Sequence, residues 1–448
     1  MKKVAFHTLG CKVNIYETEA MQELMQRAGY SIVDFNDKAD IYVVNTCSVT
    51  NMADRKSRQM LHKAKKDNPE AIVVAVGCYV QAAAKSIKQD EKIDIIIGNN
   101  MKNKIADIIN NYYEHQDPDI IDISGDFVLD ISKIKEYEEF RVLKHKEHTR
   151  AFIKIQDGCN QFCSYCIIPY TRGRVRSRSI EEIEKEVREL VHVGYKEVVL
   201  TGIHISSYGL DFEEPIELIE LVERVAKIEG VKRLRISSLE PRVVTEEFVK
   251  RLSKLENFCP HFHLSLQSGS DSTLKAMSRR YNAFEFKEGV RLIRKYFNMP
   301  ALTTDIIAGF PSETKDDFIE SLEYIKAIEF FELHVFPYSK REGTKAAAMK
   351  ETLGNKDKTR RVNLLLAMQK PITRKFLEAK LGCEVEVLIE GEFEHEGERY
   401  ILGHSKEYIK VALPYIKAAR WAHPHRCDHA SKYPSPYRTP HYSRRPWP

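Results

Sequence analysis

The sequence predicts an α/β protein in three parts: an N-terminal parallel-sheet βα domain, a central partial (β/α)6 barrel, and a C-terminal small β-barrel that is incomplete, followed by a disordered tail. Three observations carry this. Apolar strand-like runs alternate with helix-length segments over the first part of the chain, and again from residue 151 to residue 336, the pattern of parallel sheets covered by helices. After Cys383 the period changes to strict alternation, that of exposed antiparallel strands. Beyond Pro414 alternation stops, and six prolines, four histidines and both tryptophans crowd into one segment, which lacks the apolar content to build a core. The expected boundaries are 1–113, a charged linker at 114–144, a core at 145–375, the β domain at 378–413 and the tail at 414–448.

Composition bounds the rest. The 448 residues are 43% hydrophobic and 30% charged, a globular composition long enough for about three domains. No run of 18 apolar residues occurs, so no membrane span is expected. Met1-Lys2-Lys3-Val4 leads straight into a strand-like segment without the apolar stretch of a signal peptide. A cytoplasmic protein with reduced cysteines is the expectation. The net charge of +5 is a local property: from Ala412 onward seven Lys/Arg face one acid, Asp428, so the end of the chain accounts for +6 and the remainder for −1. Nucleic-acid affinity in the body would have to come from patches.

The first domain repeats one unit, a strand ending in a cysteine followed by a helix. Val4–Cys11 leads into a helix near 16–28, Ile41–Cys47 into one near 52–66, and Ile72–Cys78 into a third, with Ile93–Gly98 as a fourth strand. The cysteines are 36 and 31 residues apart, the length of a βαβ unit. Ligands gather at the carboxyl ends of parallel strands, so Cys11, Cys47 and Cys78 are predicted to converge on a second metal cluster; the alternative is three unrelated buried thiols.

The central part predicts strands near 151–155, 196–201, 232–238, 262–266, 302–308 and 332–336. A helix over 180–193 is bounded by the capping pair Ser179 and Glu182 and by Gly194, and another is expected near 315–327. A helix over 356–381 should be interrupted by Pro371. Strands are then expected at 383–390, 400–403 and 408–413.

The chemistry is concentrated in Cys159-Asn160-Gln161-Phe162-Cys163-Ser164-Tyr165-Cys166, a C-x3-C-x2-C triplet placed after the first central strand. Three thiolates on one short loop can hold three irons of a 4Fe–4S cluster and leave the fourth open to a small molecule. A structural zinc site would need a fourth ligand, and His148, the nearest candidate, lies across a predicted strand.

This spacing resembles the signature of the radical S-adenosylmethionine (SAM) superfamily. With Thr8-Leu9-Gly10-Cys11-Lys12-Val13-Asn14, Asn45-Thr46-Cys47-Ser48-Val49-Thr50, Val76-Gly77-Cys78, Ile168-Pro169 and Arg172-Gly173, residues 1–413 resemble the methylthiotransferases, which join a cluster domain, a radical SAM core and a TRAM β-domain. The resemblance implies two 4Fe–4S clusters, one on Cys159, Cys163 and Cys166 and one on Cys11, Cys47 and Cys78. It implies SAM as cofactor, tRNA as partner, an unidentified electron donor, an unidentified sulfur source, and no catalytic residues beyond the cluster ligands. Cys11-Lys12-Val13-Asn14 is similar to the branch acting on threonylcarbamoyl-adenosine at position 37 of tRNA. The isopentenyladenosine branch favours C-x-M-N and the ribosomal-protein branch C-x-K-N; both targets stay open, as does a non-catalytic iron–sulfur RNA-binding or redox-sensing protein. The small β-domain, expected to grip tRNA, departs from the family after Leu413.

Further residues fall at predicted strand ends facing SAM. Gly202 would let backbone approach a ligand. Ser238 and Glu240 follow the third strand, and the Glu240 carboxylate would accept from SAM's ammonium or ribose, unless it is a surface carboxylate. Gln267 follows the fourth strand. Tyr165 would pack near the adenine of SAM, or simply pack its loop. Asp305 is expected to be buried, either paired structurally or in contact with a ligand. Arg172, Arg174, Arg176 and Arg178 alternate, which in an extended segment puts them on one side; tRNA phosphates or plain solvent would face them. Cys259, Cys383 and Cys427 are expected to be ordinary thiols, and His423, His425, His429 and His441 no designed site.

Overall fold

A computed structural model describes residues 1–114, 127–142 and 149–415. The N-terminal repeat runs β1 (Lys3–Thr8), α1 (Lys12–Arg27), β2 (Ser31–Val33), β3 (Ile41–Thr46), α2 (Asn51–Asp67), β4 (Ile72–Gly77), α3 (Cys78–Ile87), β5 (Ile95–Ile97) and α4 (Ile105–Glu114). The sheet order is β2-β1-β3-β4-β5, parallel throughout. β3 and β4 are buried at every position, which is why they read as unbroken apolar runs. β2 was not legible, because three half-buried residues at an edge carry no periodic signal. Helices on both faces leave the carboxyl edge of the sheet free for the three cysteines.

The central part contains β6 (Ala151–Asp157), α5 (Ile168–Arg172), β7 (Arg176–Ser177), α6 (Ile180–Val193), β8 (Glu197–Gly202), α7 (Leu218–Ala226), β9 (Arg233–Ile236) and α8 (Glu246–Leu252). It continues through β10 (His261–His263), α9 (Asp271–Ala276), α10 (Ala283–Tyr296), β11 (Ala301–Ala308), α11 (Lys315–Ile328), β12 (Glu332–Pro337) and α12 (Asn355–Ala379). β6, β8 and β9 pair in parallel, as do β10, β11 and β12. The bridges Leu234–Phe258 and Leu239–Leu264 join the two sheets into one arc. The six expected strands are therefore all present in order. Alternate residues such as Ile153, Ile155, Val198, Leu200, Leu234 and Ile236 form one apolar core with the helices. The intervening positions, Lys154, Glu197, Arg233, Arg235, His261 and His263, turn the other way and make the inner face polar.

The C-terminal strands β13 (Val387–His395), β14 (Glu398–Ser405) and β15 (Lys410–Pro414) form an antiparallel sheet. The turn at Glu396 and Gly397 has positive φ at both positions, 52° and 78°, which suits a two-residue hairpin. Arginines from the inner face anchor this sheet. Arg233 donates to the carbonyls of His404 and Glu386 at 3.1 and 2.9 Å, and Arg235 to those of Lys406 and Ser405 at 2.7 and 2.8 Å. The Tyr408 ring stacks on His261 and His404.

Two expectations need correction. The described part of the supposed linker, 127–142, is a packed strap. Glu138 accepts from the backbone N–H groups of Asn100 and Asn103, Phe140 O accepts from the Tyr16 hydroxyl, and Val142 N donates to Glu186. Its Glu138 satisfies backbone donors of the first domain, while Asp130, Lys133, Lys135, Glu136 and Glu139 stay exposed. α12 also runs through Pro371 without a break. The exposed ring removes one donor, while Gln369 and Thr373 on either side bond the carbonyls of Phe330 and Phe331. The tail from residue 416 on, with Cys427 and the four histidines, and His148 lie outside the described residues. No helix among the described residues is long and apolar enough to cross a membrane.

Candidate functional site

The loop joining β6 to α5 carries Cys159, Cys163 and Cys166, the first two buried and the third partly so. Its conformation is held at both ends. Gly158 has φ +71°, and a Cβ there would lie 1.8 Å from the Arg174 carbonyl oxygen, so only glycine fits. Cys159 N donates to Gly173 O at 3.0 Å, Ser164 N to Met277 O at 2.9 Å, and Ala346 N to Ser164 O at 2.7 Å. Phe162 takes a left-handed φ of 51°. Gln161 N donates to the Cys159 sulfur at 3.4 Å, and the Arg279 guanidinium to the Cys163 sulfur at 3.1 Å.

Beside this loop stands Glu240, buried just beyond β9. It receives Gln161 at 3.3 Å and Arg279 at 3.4 Å, with His204 Nε2 at 3.5 Å. Burial alone would raise its carboxyl; His204 and Arg279 outweigh that and hold it below the ordinary value. The surface-carboxylate alternative is therefore excluded. Tyr165 packs against Met277, Phe310, Tyr338 and Ala346. Gln267 sits at the strand end with φ 68° and is tied by backbone bonds to Asp305 and Ile307, a strained conformation held by its neighbours. Ser238 is exposed. Asp305 is half-buried and paired with His263 at 3.3 Å. Gly202 is needed for another reason than expected: a Cβ there would meet the Gln156 carbonyl at 2.9 Å, so the close approach is by β6.

Cys11, Cys47 and Cys78 lie just past β1, β3 and β4. Cys11 caps α1 and is exposed; Cys78 opens α3 and is buried, as is Cys47. Asn14 binds the first two loops together, donating to Leu9 O at 2.6 Å and Thr46 O at 3.0 Å, while its Oδ1 faces the Cys11 thiol at 3.9 Å. A Cβ on Gly10 would meet the Cys47 sulfur at 2.9 Å. Cys78 receives Arg172 Nε at 3.2 Å and the Asn99 amide at 3.7 Å. Cys259 is buried and Cys383 exposed, both free thiols.

The model of the radical SAM superfamily matches residues 153–325, and that of uncharacterized protein family UPF0004 matches residues 3–98. The threonylcarbamoyladenosine tRNA methylthiotransferase of Bacillus subtilis is 42% identical over 92% of this chain and 90% of its own. Its namesake in Aquifex aeolicus is 39% identical over 89% and 95%. The chain belongs to the radical SAM methylthiotransferases. A tRNA-2-methylthio-N(6)-dimethylallyladenosine synthase of Clostridium tetani is 36% identical over 87% of this chain and 85% of its own, which sets this methylthiotransferase nearer the threonylcarbamoyladenosine branch. The radical SAM methyltransferase TsrM of Kitasatospora setae shares the fold, with TM-score 0.58 at 13% identity over 77% of each chain.

Membership in this family implies SAM and a 4Fe–4S cluster. Among the described residues no three potential ligands already stand in metal-binding geometry, yet the donor sets suit iron. Burial pushes the thiols of Cys159, Cys166 and Cys47 up, to about 11, 12 and 12, so a bound cation is what would ionise them. Arginine and amide donors already point at sulfurs of both triplets, as they would at cluster thiolates.

The arginine series of the methylthiotransferase does not form a ridge. Arg172, Arg176 and Arg178 are at most 1% exposed, and only Arg174 reaches solvent. The three buried ones have carboxylate partners from other elements, which removes them from any contact with RNA phosphates. Arg172 pairs with Glu17 and Asp157, Arg176 approaches Asp157 at 3.8 Å, and Arg178 pairs with Glu139 and Glu186. Lys102 and Lys154 also meet Glu17. Burial raises the Glu17 carboxyl, and Arg172, Lys102 and Lys154 overcome this to hold it well below the usual range. Sequence reasoning missed Arg279, His204, Gln161 and Asn14. Gln161 and Asn14 lie inside quoted motifs and His204 two residues after Gly202, but Arg279 follows a short helix with no local signal.

Proposed function

We propose that this enzyme transfers a methylthio group to carbon 2 of threonylcarbamoyl-adenosine at position 37 of tRNA, with one cluster held by Cys159, Cys163 and Cys166 and a second by Cys11, Cys47 and Cys78. The observation that carries the reading is the pair of thiol triplets in one chain, linked by a side chain from the helix after the first loop that touches a sulfur of the second. When bound, SAM and the clusters supply radical and sulfur chemistry at an adenine carbon that offers neither an acidic proton nor a leaving group.

The protein's own groups orient and enclose. Arg279 and Gln161 share Glu240 and reach the first cysteine loop, so Glu240 fixes them and offers a carboxylate to the ammonium or ribose of SAM. Tyr165, Gln267 and Ser238 complete that strand-end surface. At the rim, Arg174 lies over the Phe162 ring at 4.6 Å, and Phe162 meets Tyr170 edge-on; an exposed cation beside aromatic faces suits an RNA backbone and its bases. An electron donor and a sulfur source act from outside the chain.

The test is nucleoside mass spectrometry of tRNA from cells lacking this gene, with and without the chain restored. Loss and return of methylthio-threonylcarbamoyladenosine fixes the substrate. Loss without return leaves the family reading and implicates the tail. No loss, in cells without a redundant enzyme, overturns the substrate and moves attention to the isopentenyl nucleoside and ribosomal proteins.

A further inference from the structure

Thr171, Arg172 and Gly173 form a short segment that touches both cysteine sites at once. The Gly173 carbonyl accepts from Cys159 N at 3.0 Å, at the start of the first cysteine loop. One residue earlier, Arg172 Nε lies 3.2 Å from the Cys78 sulfur in the other site. A second donor accompanies it there: the Asn99 amide bonds Thr171 O at 2.7 Å and faces the same sulfur at 3.7 Å. The fork of Arg172 continues to Asn14 Oδ1 at 2.6 Å. Through Asn14 it reaches the loops that carry Cys11 and Cys47. Its remaining donors are taken by Glu17 and Asp157. Gly173 makes the turn possible, with φ +74° and the Ile131 carbonyl 2.4 Å from where a Cβ would stand.

We propose that Arg172 is a positioning residue that couples the two sites: it holds the Cys78 sulfur and, through Asn14, the Cys11 and Cys47 loops, and by donating to Cys78 it stabilises the reduced state of a cluster bound there. The inference rests on the two-cluster reading. Its physical basis is general: hydrogen bonds to cluster sulfurs offset the charge added on reduction and raise the potential. A buried guanidinium does this without reorganisation, because its orientation is fixed by four partners. Lysine would keep the charge against Glu17 but could not span Cys78, Asn14 and Glu17 together.

The experiment uses the full chain reconstituted anaerobically, with iron analysis and potentiometric electron paramagnetic resonance on the wild type, Arg172→Lys, Arg172→Gln and the triple change Cys11→Ala/Cys47→Ala/Cys78→Ala. The wild type should hold about eight irons and the triple variant about four. In Arg172→Lys the signal missing from the triple variant should shift to lower potential, by about tenfold in its oxidised-to-reduced ratio (~59 mV for one electron), with the other signal unmoved. Arg172→Gln should shift it further or release that cluster. A folded Arg172→Lys with both clusters at wild-type potentials overturns the inference while leaving the two-cluster reading intact. A wild type with only about four irons overturns both.

Discussion

The two cysteine sites are built in opposite ways. Cys159, Cys163 and Cys166 lie on one loop of eight residues, whose shape is set by Gly158, by a left-handed Phe162 and by a few backbone bonds to Gly173, Met277 and Ala346. Cys11, Cys47 and Cys78 come from the ends of three strands and share one edge only because β1, β3 and β4 are neighbours in one parallel sheet. The first site is a property of a segment and the second a property of a fold. The second therefore depends on residues distant in the chain, and Arg172 with Glu17 is where that dependence concentrates.

The largest expected effect separates the sites by chemistry. Cys163→Ala should abolish both methylthiolation and reductive formation of 5′-deoxyadenosine from SAM. Cys78→Ala should abolish methylthiolation while SAM cleavage persists, read by liquid chromatography of the anaerobic reaction. Loss of SAM cleavage in both would break the comparison, because the second site would then be required for the first.

A smaller effect tests the dependence on remote charge. Glu17→Ala leaves Lys102 and Lys154 buried beside Arg172 without their shared carboxylate. Removing one partner of such a network costs about 3–5 kcal/mol. Urea unfolding should show this loss, and iron retention should fall at the second site before the first. The sign with pH follows from the depressed Glu17 carboxyl: its contribution is complete above the unfolded carboxylate value and is lost as pH falls through the lower folded one.

The smallest effect is a reference away from both sites. Asp317 closes the capping box of α11, accepts from Ser270 and Ser272, and is held down to about 2 against the dehydration that would raise it. Asp317→Asn should cost about 1 kcal/mol at neutral pH. That difference should vanish in acid melts between the unfolded value of about 3.9 and pH 2, with both clusters unaffected at neutral pH.

Local chemistry was legible and remote chemistry was not. The C-x3-C-x2-C loop, the six core strands and the 180–193 helix with its Ser179 cap could be read directly, because each is encoded within about fifteen residues by spacing, period or capping. The repeat of strand, cysteine and helix also predicted which edge of the sheet would carry Cys11, Cys47 and Cys78. Alternation failed for Arg172–Arg178, since Arg172 ends a helix, Arg174 alone faces solvent, and period says nothing of what stands on the side that Arg172, Arg176 and Arg178 take. Glu17 from α1, Asp157 from β6 and Glu186 from α6 are what turn that side inward. Likewise the charged strap at 127–142 looked like a linker until its Glu138 was seen to receive backbone donors of the first domain.

What the sequence determined by itself, then, is the order of elements, the parallel architecture and the strand ends on which the cysteines fall, because hydrophobic period and short motifs are properties of contiguous residues. Tertiary structure decided which arginines are buried, that Gly202 yields to Gln156 rather than to a ligand, and that Arg172 ties one cysteine site to the other. The bonds of Arg172 to Cys78, Glu17 and Asn14 join side chains 94, 155 and 158 residues apart in the chain, and only the packed fold sets such distances.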